Sequence, residues 1–150
     1  MKNKIWIIIF IAVTTSATIG SGINLNYVDV CINKKCFASR IADTPQSRVK
    51  GLMNQDRLPI DEGLLFIFNE YKVHEFWMKN MNFPLDIIFI NDEHIISTII
   101  KNAPPCNKDK CEIYKPKNKS LMALEINAGL CEKHAIKIGQ SVEFYIEDDE

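Results

Sequence analysis

The chain of 150 residues lacks most of the patterns by which common chemistries are identified. Only 6 residues are glycine, and no glycine-rich loop of the kind that holds phosphate groups is present. No serine occupies a nucleophile elbow, and Cys131 has no obvious base, so neither a Ser-His-Asp nor a Cys-His mechanism is supported. The formal net charge of -1 provides no basic surface for nucleic acid, so no nucleic-acid partner is predicted.

The beginning of the chain has the pattern of a secretory signal peptide. Lys2 and Lys4 precede an apolar run from Ile5 to Val13, and small and hydroxylated residues follow as far as Gly22. The run is shorter than the roughly 20 residues that a membrane-spanning helix needs. We therefore predict export to the periplasm or the extracellular space. The alternative is an uncleaved signal segment, which would be the only predicted attachment to a membrane.

Residues 1–22 are accordingly predicted to be the signal peptide, and residues 23–150 to be a single domain. The second range has the length of one domain, and no repeat, low-complexity linker or change of composition divides it. Hydrophobic residues make up 47% of the chain, which is enough for an ordinary core.

Four of the five cysteines form two pairs with the same spacing. Cys31 and Cys36 flank one turn-like insert, and Cys106 and Cys111 flank another. In an exported protein this spacing favours two local disulfide bonds, each worth roughly 2 kcal/mol by the chain-entropy estimate. The alternative is a four-thiolate metal site, which export and the lack of a nearby histidine disfavour. Cys131 is interpreted as a buried inert thiol rather than a nucleophile. No metal and no cofactor is predicted.

Alternating apolar residues and turn signals predict short strands through most of the domain. We expect strands at residues 27–32, 36–41, 64–68, 74–79, 85–90, 94–100, 121–127 and 142–146. Thr44 and Pro45 predict the start of a helix that ends near Asn54, and a second short helix is predicted to end at Ile136. The pattern is typical of a mainly β (α+β) fold: a compact β-sandwich or partly open barrel of about seven to eight strands with two short helices.

The segment at 76–90 combines an aromatic side chain, a cation, an amide and a carboxylate on strand-like segments that meet at a proline. In the strand predicted at 74–79, Phe76 faces the core, whereas Trp77 and Lys79 face the other side. A tryptophan between two charged neighbours is a candidate stacking surface for a ligand. The alternative is a tryptophan that is simply covered by a loop.

Two carboxylates could contribute to such a site. Asp86 is the only charge in an otherwise apolar strand and needs a partner, because unpaired burial costs several kcal/mol. It is interpreted either as a structural cap or ion pair, or as a catalytic carboxylate together with Glu125. Glu125 and Asn127 lie on one side of a core strand, and they would form a small polar cleft if that side converged with Trp77 and Lys79.

Two further side chains can be interpreted either as structural residues or as residues that bind a ligand or a metal ion. Arg48 lies at the edge of the apolar face of the first helix, either as a surface arginine or as an anion ligand. His74 is interpreted as structural, because no acid or thiolate lies at metal-ligand spacing. The predicted ligand-binding residues are Arg48, Trp77, Lys79, Asn80, Asp86, Glu125 and Asn127.

Several motifs follow one another in order along the chain: RVKGLM at 48–53, LP at 58–59 with Gly63, FWMKN at 76–80, PLD at 84–86 and LEINAG at 124–129. Over residues 27–147 they resemble the signature of domain-of-unknown-function family 192, also called uncharacterised protein family 0127. The APPC segment at 103–106 is similar to a loop in exported members. The resemblance implies a compact, mostly β single domain, often exported, without an established activity and therefore without catalytic residues to assign.

The chain departs from the usual family pattern at three positions. Gln55 stands where arginine is common, Met81 stands where threonine is common, and Gln140 stands where a Gly-Asp pair is common. If a site near Lys79 used the threonine hydroxyl, this protein would bind its ligand differently or more weakly.

Three functions are compatible with these residues. The first is a non-catalytic binding module for a small polar or sugar-like ligand of the cell envelope. The second is a structural or assembly protein of the envelope, whose motif residues only stabilise the fold. The third is a hydrolase that uses Asp86 and Glu125, which requires both carboxyl groups in one open cleft. We favour the binding module, and we expect a monomer whose partner is such a ligand or an envelope protein.

Overall fold

The computed structural model of the protein describes residues 27–146, and the predicted signal peptide lies outside this range. The strands are β1 (Tyr27–Ile32), β2 (Lys35–Ala42), β3 (Glu62–Lys72), β4 (Phe76–Trp77), β5 (Leu85–Ile90), β6 (Ile96–Ala103), β7 (Ile113–Tyr114), β8 (Ser120–Asn127) and β9 (Val142–Tyr145). The helices are α1 (Pro45–Lys50) and α2 (Leu130–Lys133). Within the described range, no helix is long and apolar enough to span a membrane.

Seven of the strands form one sheet that curls into a half-barrel. The strand order is β6-β5-β8-β3-β2-β1-β9, and β4 and β7 form a separate two-stranded ribbon. Neighbouring strands are antiparallel except β2 and β3, which are parallel. A parallel pair needs a crossover connection, and α1 lies in it. The predicted mainly β fold with two short helices is confirmed, in the form of the partly open barrel.

Helix α1 begins as predicted but is shorter than predicted. The Thr44 hydroxyl accepts a hydrogen bond from the Ser47 backbone N–H at 3.1 Å, and the Ser47 hydroxyl accepts one from the Thr44 N–H at 3.0 Å. This reciprocal cap and Pro45 in the first turn fix the start of the helix. The helix ends before Gly51, whose φ of 47° lies in the left-handed region that favours glycine. The predicted end near Asn54 was wrong, because turns replace the helix there.

Both faces of the central strands β3, β5 and β8 are covered, so their side chains alternate between two apolar clusters. The first cluster includes Val30, Leu65, Ile88, Leu124, Ile126 and Leu130. The second includes Leu52, Leu64, Phe66, Phe76, Ile87 and Phe89. Glu125 on β8 lies opposite Leu64 on β3 and Ile87 on β5, so alternation places its side chain on the side of the second cluster.

The strand predicted at 74–79 is shorter than expected: β4 has only two residues, and beyond it Lys79 forms an isolated bridge with Cys106. Phe76 and Trp77 pair with β7, a short strand that was not among the predicted ones. Beyond β4 the backbone bonds to the disulfide loop instead: the Cys106 N–H donates to the Met78 carbonyl at 2.9 Å, and the Asn80 N–H donates to the Cys106 carbonyl at 3.0 Å. Asn80 has a φ of 57°, which ends the extended conformation.

Both predicted disulfides are present. Cys31 and Cys36 join facing positions of the β1–β2 hairpin, and Cys106 and Cys111 close the loop before β7. Two disulfides fit an oxidising compartment. Cys131 is the free cysteine among the described residues and is buried. Burial raises the pKa of its thiol, so the reactive thiolate is disfavoured.

Gly63 in β3 allows a close approach that alanine would obstruct. A Cβ atom there would lie 2.9 Å from Ser39 Oγ, 3.0 Å from the Glu125 carbonyl oxygen and 3.0 Å from Leu124 Cδ1. We expect Gly63→Ala to lower the free energy of unfolding by about 1–3 kcal/mol, measured by urea denaturation. Adding Ser39→Ala should recover only part of this loss, because the backbone carbonyl cannot move aside. Unchanged stability of Gly63→Ala would contradict the packing argument.

Candidate functional site

A cleft of about 540 Å³ opens on the side of the sheet that α1 covers. One wall is α1 with the turn after it, and the other is the end of β3 with the segment leading into β4. Strand β8 contributes Glu125 at the base. The apolar and aromatic lining comprises Val49, Leu52, Met53, Phe66, Phe68, Phe76, Trp77 and Met81.

Glu125 is a buried carboxyl group without a partner in the described part of the chain. Its neighbours across the sheet are Leu64 and Ile87, and only 5% of its surface is exposed. No hydrogen bond or ion pair from a residue in 27–146 reaches its carboxyl group. Burial raises the pKa of Glu125 from 4.5 to about 8, because the charged form loses its hydration. At neutral pH the group is therefore an uncharged acid that can both donate and accept hydrogen bonds.

The aromatic wall of the cleft is held by ring-to-ring packing. The Phe76 ring packs edge-on against Phe66 at 5.0 Å between centroids, and the Phe68 ring stacks on His74 at 3.5 Å. His74 Nε2 lies 3.0 Å from the Glu70 carbonyl oxygen. Burial lowers the pKa of His74, which favours the neutral ring. These contacts pack the aromatic side chains of the wall against one another and against the backbone of β3.

Arg48 connects the two walls. Its Nη1 donates to the Ile67 carbonyl at 2.8 Å and also to the Asp43 carbonyl. The guanidinium lies 5.9 Å from the centroid of the Phe68 ring. Arg48 therefore ties α1 to β3 by ordinary structural bonds and lines the cleft at the same time. Its predicted role in ligand binding stays a prediction.

Trp77 lies at the mouth of the cleft with 46% of its surface exposed. Lys79 Nζ lies 5.5 Å from the centroid of the indole, close enough for a cation–π interaction. Behind the tryptophan, β7 pairs Ile113 with it, and the Cys106–Cys111 loop bonds to the residues that follow. Trp77 is thus an exposed aromatic surface on a supported ribbon, which is the geometry of a stacking surface.

Asp86 lies on the opposite face of the sheet from Glu125. It is fully buried and opposes Ile126, one position along β8. Its Oδ1 accepts a hydrogen bond from the Asn102 N–H at 2.9 Å, and its Oδ2 accepts one from the Cys131 N–H at 2.9 Å. The structural interpretation of Asp86 therefore fits the geometry, whereas two carboxyl groups on opposite faces cannot divide acid and base roles on one substrate.

The two predicted amides also lie outside the cleft. Asn127 Nδ2 donates to the Leu58 carbonyl at 2.9 Å and to the Pro59 carbonyl at 3.2 Å, and so holds the loop that enters β3. The Asn80 carbonyl accepts from the Asn54 N–H at 2.9 Å, which connects two turns. Of the predicted ligand-binding residues, the cleft therefore brings together Arg48, Trp77 and Glu125, with Lys79 beside the indole.

Several cleft residues were not identified from the sequence. Phe66 and Phe68 belong to a run that is apolar at every position, so alternation could not show which of its side chains reach a site. Met81 was noted only as a departure from the family pattern. In the part of the chain that the structure describes, no group of three or more His, Cys, Asp or Glu side chains is placed to hold a metal ion.

Comparison with known proteins identifies a family and a shared fold. The model of DUF192, a family described as uncharacterized ACR, matches residues 28–144. No curated protein matches the chain. A crystal structure of a protein of unknown function from Novosphingobium aromaticivorans is 34% identical, with a TM-score of 0.71, and the match covers 78% of this chain and 83% of that one. A Sinorhizobium meliloti protein described as a candidate transcription regulator is 30% identical, with a TM-score of 0.71 and coverage of 79% and 92%.

The raised pKa of Glu125 predicts a pH-dependent stability. Between the ordinary pKa of 4.5 and about 8, the folded protein holds a proton that the unfolded chain releases, so the free energy of unfolding falls as pH rises. We expect this group to account for a loss of about 3–5 kcal/mol between pH 4.5 and 9. Urea denaturation at several pH values should show that Glu125→Gln removes this part of the slope. Glu132→Gln, which removes an exposed carboxyl group, is the control and should keep the wild-type slope.

The placement of Asp86 predicts a stability effect without a binding effect. In Asp86→Asn, one amide N–H group would face a backbone donor, so we expect a loss of about 2–3 kcal/mol in urea denaturation. The Trp77 emission of the folded variant should be unchanged, because Asp86 lies across the sheet from the cleft. Asp109→Asn, an exposed change in the disulfide loop, is the control. If Asp86→Asn were as stable as the wild-type protein, the two hydrogen bonds from backbone N–H groups to Asp86 would not contribute to stability.

Proposed function

Since the chain belongs to DUF192, a family described only as uncharacterized, we propose a function from the cleft itself: a non-catalytic binding module for a small polar or sugar-like ligand of the cell envelope. One observation carries the proposal. Glu125 is a buried carboxyl group at the base of a cleft and has no partner among residues 27–146.

A buried carboxyl group without a hydrogen-bond partner lowers the stability of the folded protein. Burying a polar group without a hydrogen bond typically costs about 1–3 kcal/mol, and an apolar side chain of the same shape would avoid that cost. A ligand that supplied the missing hydrogen bonds would recover it. Asp86 shows that this fold can supply a buried carboxylate with hydrogen bonds from backbone N–H groups. The lack of such hydrogen bonds to Glu125 among residues 27–146 therefore supports a binding role rather than a structural one.

The walls of the cleft suit the apolar faces of a small polar molecule. The exposed indole of Trp77 and the rings of Phe66 and Phe76 provide apolar surface in the same cleft as Glu125. Aromatic surface with a few directed polar groups is the common composition of small-molecule sites. A sugar ring, with apolar C–H faces and hydroxyl groups at its edge, has the complementary chemistry.

Catalysis is not favoured, because Asp86, the predicted partner of Glu125, lies across the sheet. The other carboxyl groups that line the cleft, Glu70 and Glu75, pair with Lys72 and Lys115. A role as a transcription regulator, as in the description of the S. meliloti protein, is not favoured either. The net charge is -1, and the helices in the described range have only 6 and 4 residues, too short for a recognition helix.

An envelope assembly role is the second candidate, and a specific surface favours it. Val49 is 69% exposed, Trp77 46% and Ile113 49%. Trp77 and Ile113 face each other across the β4–β7 ribbon, and Val49 and Trp77 line the same cleft. An apolar surface of this kind is compatible with a protein partner.

We propose that the protein performs this function outside the cytoplasm. The signal-peptide pattern at residues 1–22 supports export, and the two disulfides fit an oxidising compartment.

The binding role predicts a saturable change in tryptophan emission. The chain has 2 tryptophans, so a Trp6→Phe background leaves Trp77 as the reporter. Titration with a panel of neutral sugars and short envelope peptides should give a saturable response with at least one class. Glu125→Met, which keeps the shape but removes the hydrogen-bonding groups, should weaken binding by roughly tenfold or more.

Two controls define this experiment. Trp77→Phe in the same background is the optical blank, and binding measured by calorimetry should persist there in weakened form. Asp109→Asn, far from the cleft, should bind as the parent protein does. A flat response from the folded protein to every probe would count against the binding module and favour the assembly role.

A further inference from the structure

We infer, resting on the proposed function, that the cleft selects uncharged ligands: Glu125 binds as a neutral acid, donating to a ligand oxygen and accepting from a ligand hydroxyl or amide, so that the ligand is released in alkaline solution.

The immediate surroundings of the Glu125 side chain carry no charge. Its neighbours across the sheet are Leu64 and Ile87, and its neighbours along β8 on the same side are Ala123 and Asn127, whose amide donates to the Leu58 and Pro59 carbonyls. Phe66 and Met81 line the cleft above it. A negative charge in these surroundings would meet no hydrogen-bond donor among residues 27–146, and it could reach water only through the cleft.

The cations on β2 and α1 have other partners or point into solvent. Arg40, which shares the row of Leu64 and Glu125 across the sheet, donates from Nη2 to Gln55 Oε1 at 3.0 Å. Arg48 uses Nη1 for two backbone carbonyls, and Lys50 is exposed at the rim. None of these cations forms an ion pair with Glu125.

The charged groups on β3 and the segment before β4 are likewise paired or distant from the carboxyl group. Lys72 pairs with Glu70 at 2.7 Å, and Glu75 pairs with Lys115 at 2.9 Å. His74 is stacked on the Phe68 ring, and its lowered pKa favours the neutral form. Glu62, two residues before Leu64 on the same side of β3, is an acid and cannot stabilise a second negative charge.

Burial alone therefore sets the protonation of Glu125 and raises its pKa to about 8. A neutral carboxyl group offers one O–H donor and one carbonyl acceptor, a pair that matches two neighbouring hydroxyl groups or an amide. A charged ligand group would lose its own hydration beside the apolar side chains that surround Glu125. A ligand cation would also meet Arg48 at the wall.

Proton linkage follows from this arrangement. A ligand that accepts the Glu125 proton binds only the protonated form, so its affinity falls about tenfold for each pH unit above the pKa of the free group. From pH 7 to pH 9.5 we expect a loss of about 30-fold. Ligand binding should also raise the pKa of Glu125 further, because the bound state keeps the proton.

The first arm of the test needs no ligand. Infrared difference spectra of the full chain, wild type minus Glu125→Gln, should show the carbonyl stretch of a protonated carboxyl group at pH 6 and its loss above pH 8. A Glu125 that is already ionised at pH 6 overturns this inference and leaves the binding module standing.

The second arm compares three matched probes at pH 6: methyl glucoside, glucosamine and glucuronate, which are neutral, cationic and anionic. The neutral sugar should bind at least about tenfold more tightly than either charged one, and its affinity should fall with rising pH. Tighter binding of glucosamine, or an affinity that grows with pH, contradicts the inference. If none of the three binds, the sugar-like ligand of the proposed function fails, and the inference fails with it.

Two variants separate protonation from folding. Glu125→Gln keeps a donor and an acceptor but cannot ionise, so it should bind the neutral sugar within a few-fold of wild type and lose the pH dependence. Glu125→Met should lose most of the affinity at every pH while remaining folded, because it replaces an unpartnered polar group by an apolar one. A Glu125→Gln protein that kept the alkaline loss would place the titrating group elsewhere.

Discussion

The covering of β8 on both faces is the constraint on which the rest of this structure depends. A central strand with apolar layers above and below has no solvent side on which a charged residue can rest. Glu125 must therefore enter an apolar layer, and it does so between Leu64 and Ile87. The cleft over this position is what makes the arrangement tolerable, because it leaves the carboxyl group one open direction.

The two buried carboxyl groups of the sheet differ in their hydrogen bonding because their surroundings differ. Asp86 and Glu125 occupy neighbouring central strands, yet they face opposite layers. Asp86 meets two backbone N–H groups, at the start of α2 and at Asn102, and becomes part of the scaffold. Glu125 meets only apolar side chains and an opening. A carboxyl group is thus hydrogen-bonded to the backbone on one face of the sheet, whereas on the other face it has no partner among the described residues and lines a cleft.

Local sequence patterns predicted much of the architecture. The predictions that were wrong concerned the lengths of individual strands and helices. Alternation correctly placed Phe76 in the core and Trp77 outside it. The length of that strand was wrong, because the backbone beyond β4 bonds to the loop of Cys106, which lies 26 positions or more along the chain and could not be paired by inspection. Arg48 was correctly placed at the edge of its helix, but its bonds to β3 depend on how the crossover packs.

The sequence by itself indicated most of the strands, the helix cap at Thr44, the two short disulfides and the family, because each depends on residues close together in the chain or on motifs read in order. The tertiary structure alone decided which side chains share a cleft. Glu125, Trp77 and Arg48 come from β8, β4 and α1, and their meeting depends on the register of β8 against β3 and β5. Register is set by long-range packing, and a shift of one residue would exchange Glu125 with its neighbour in the opposite core.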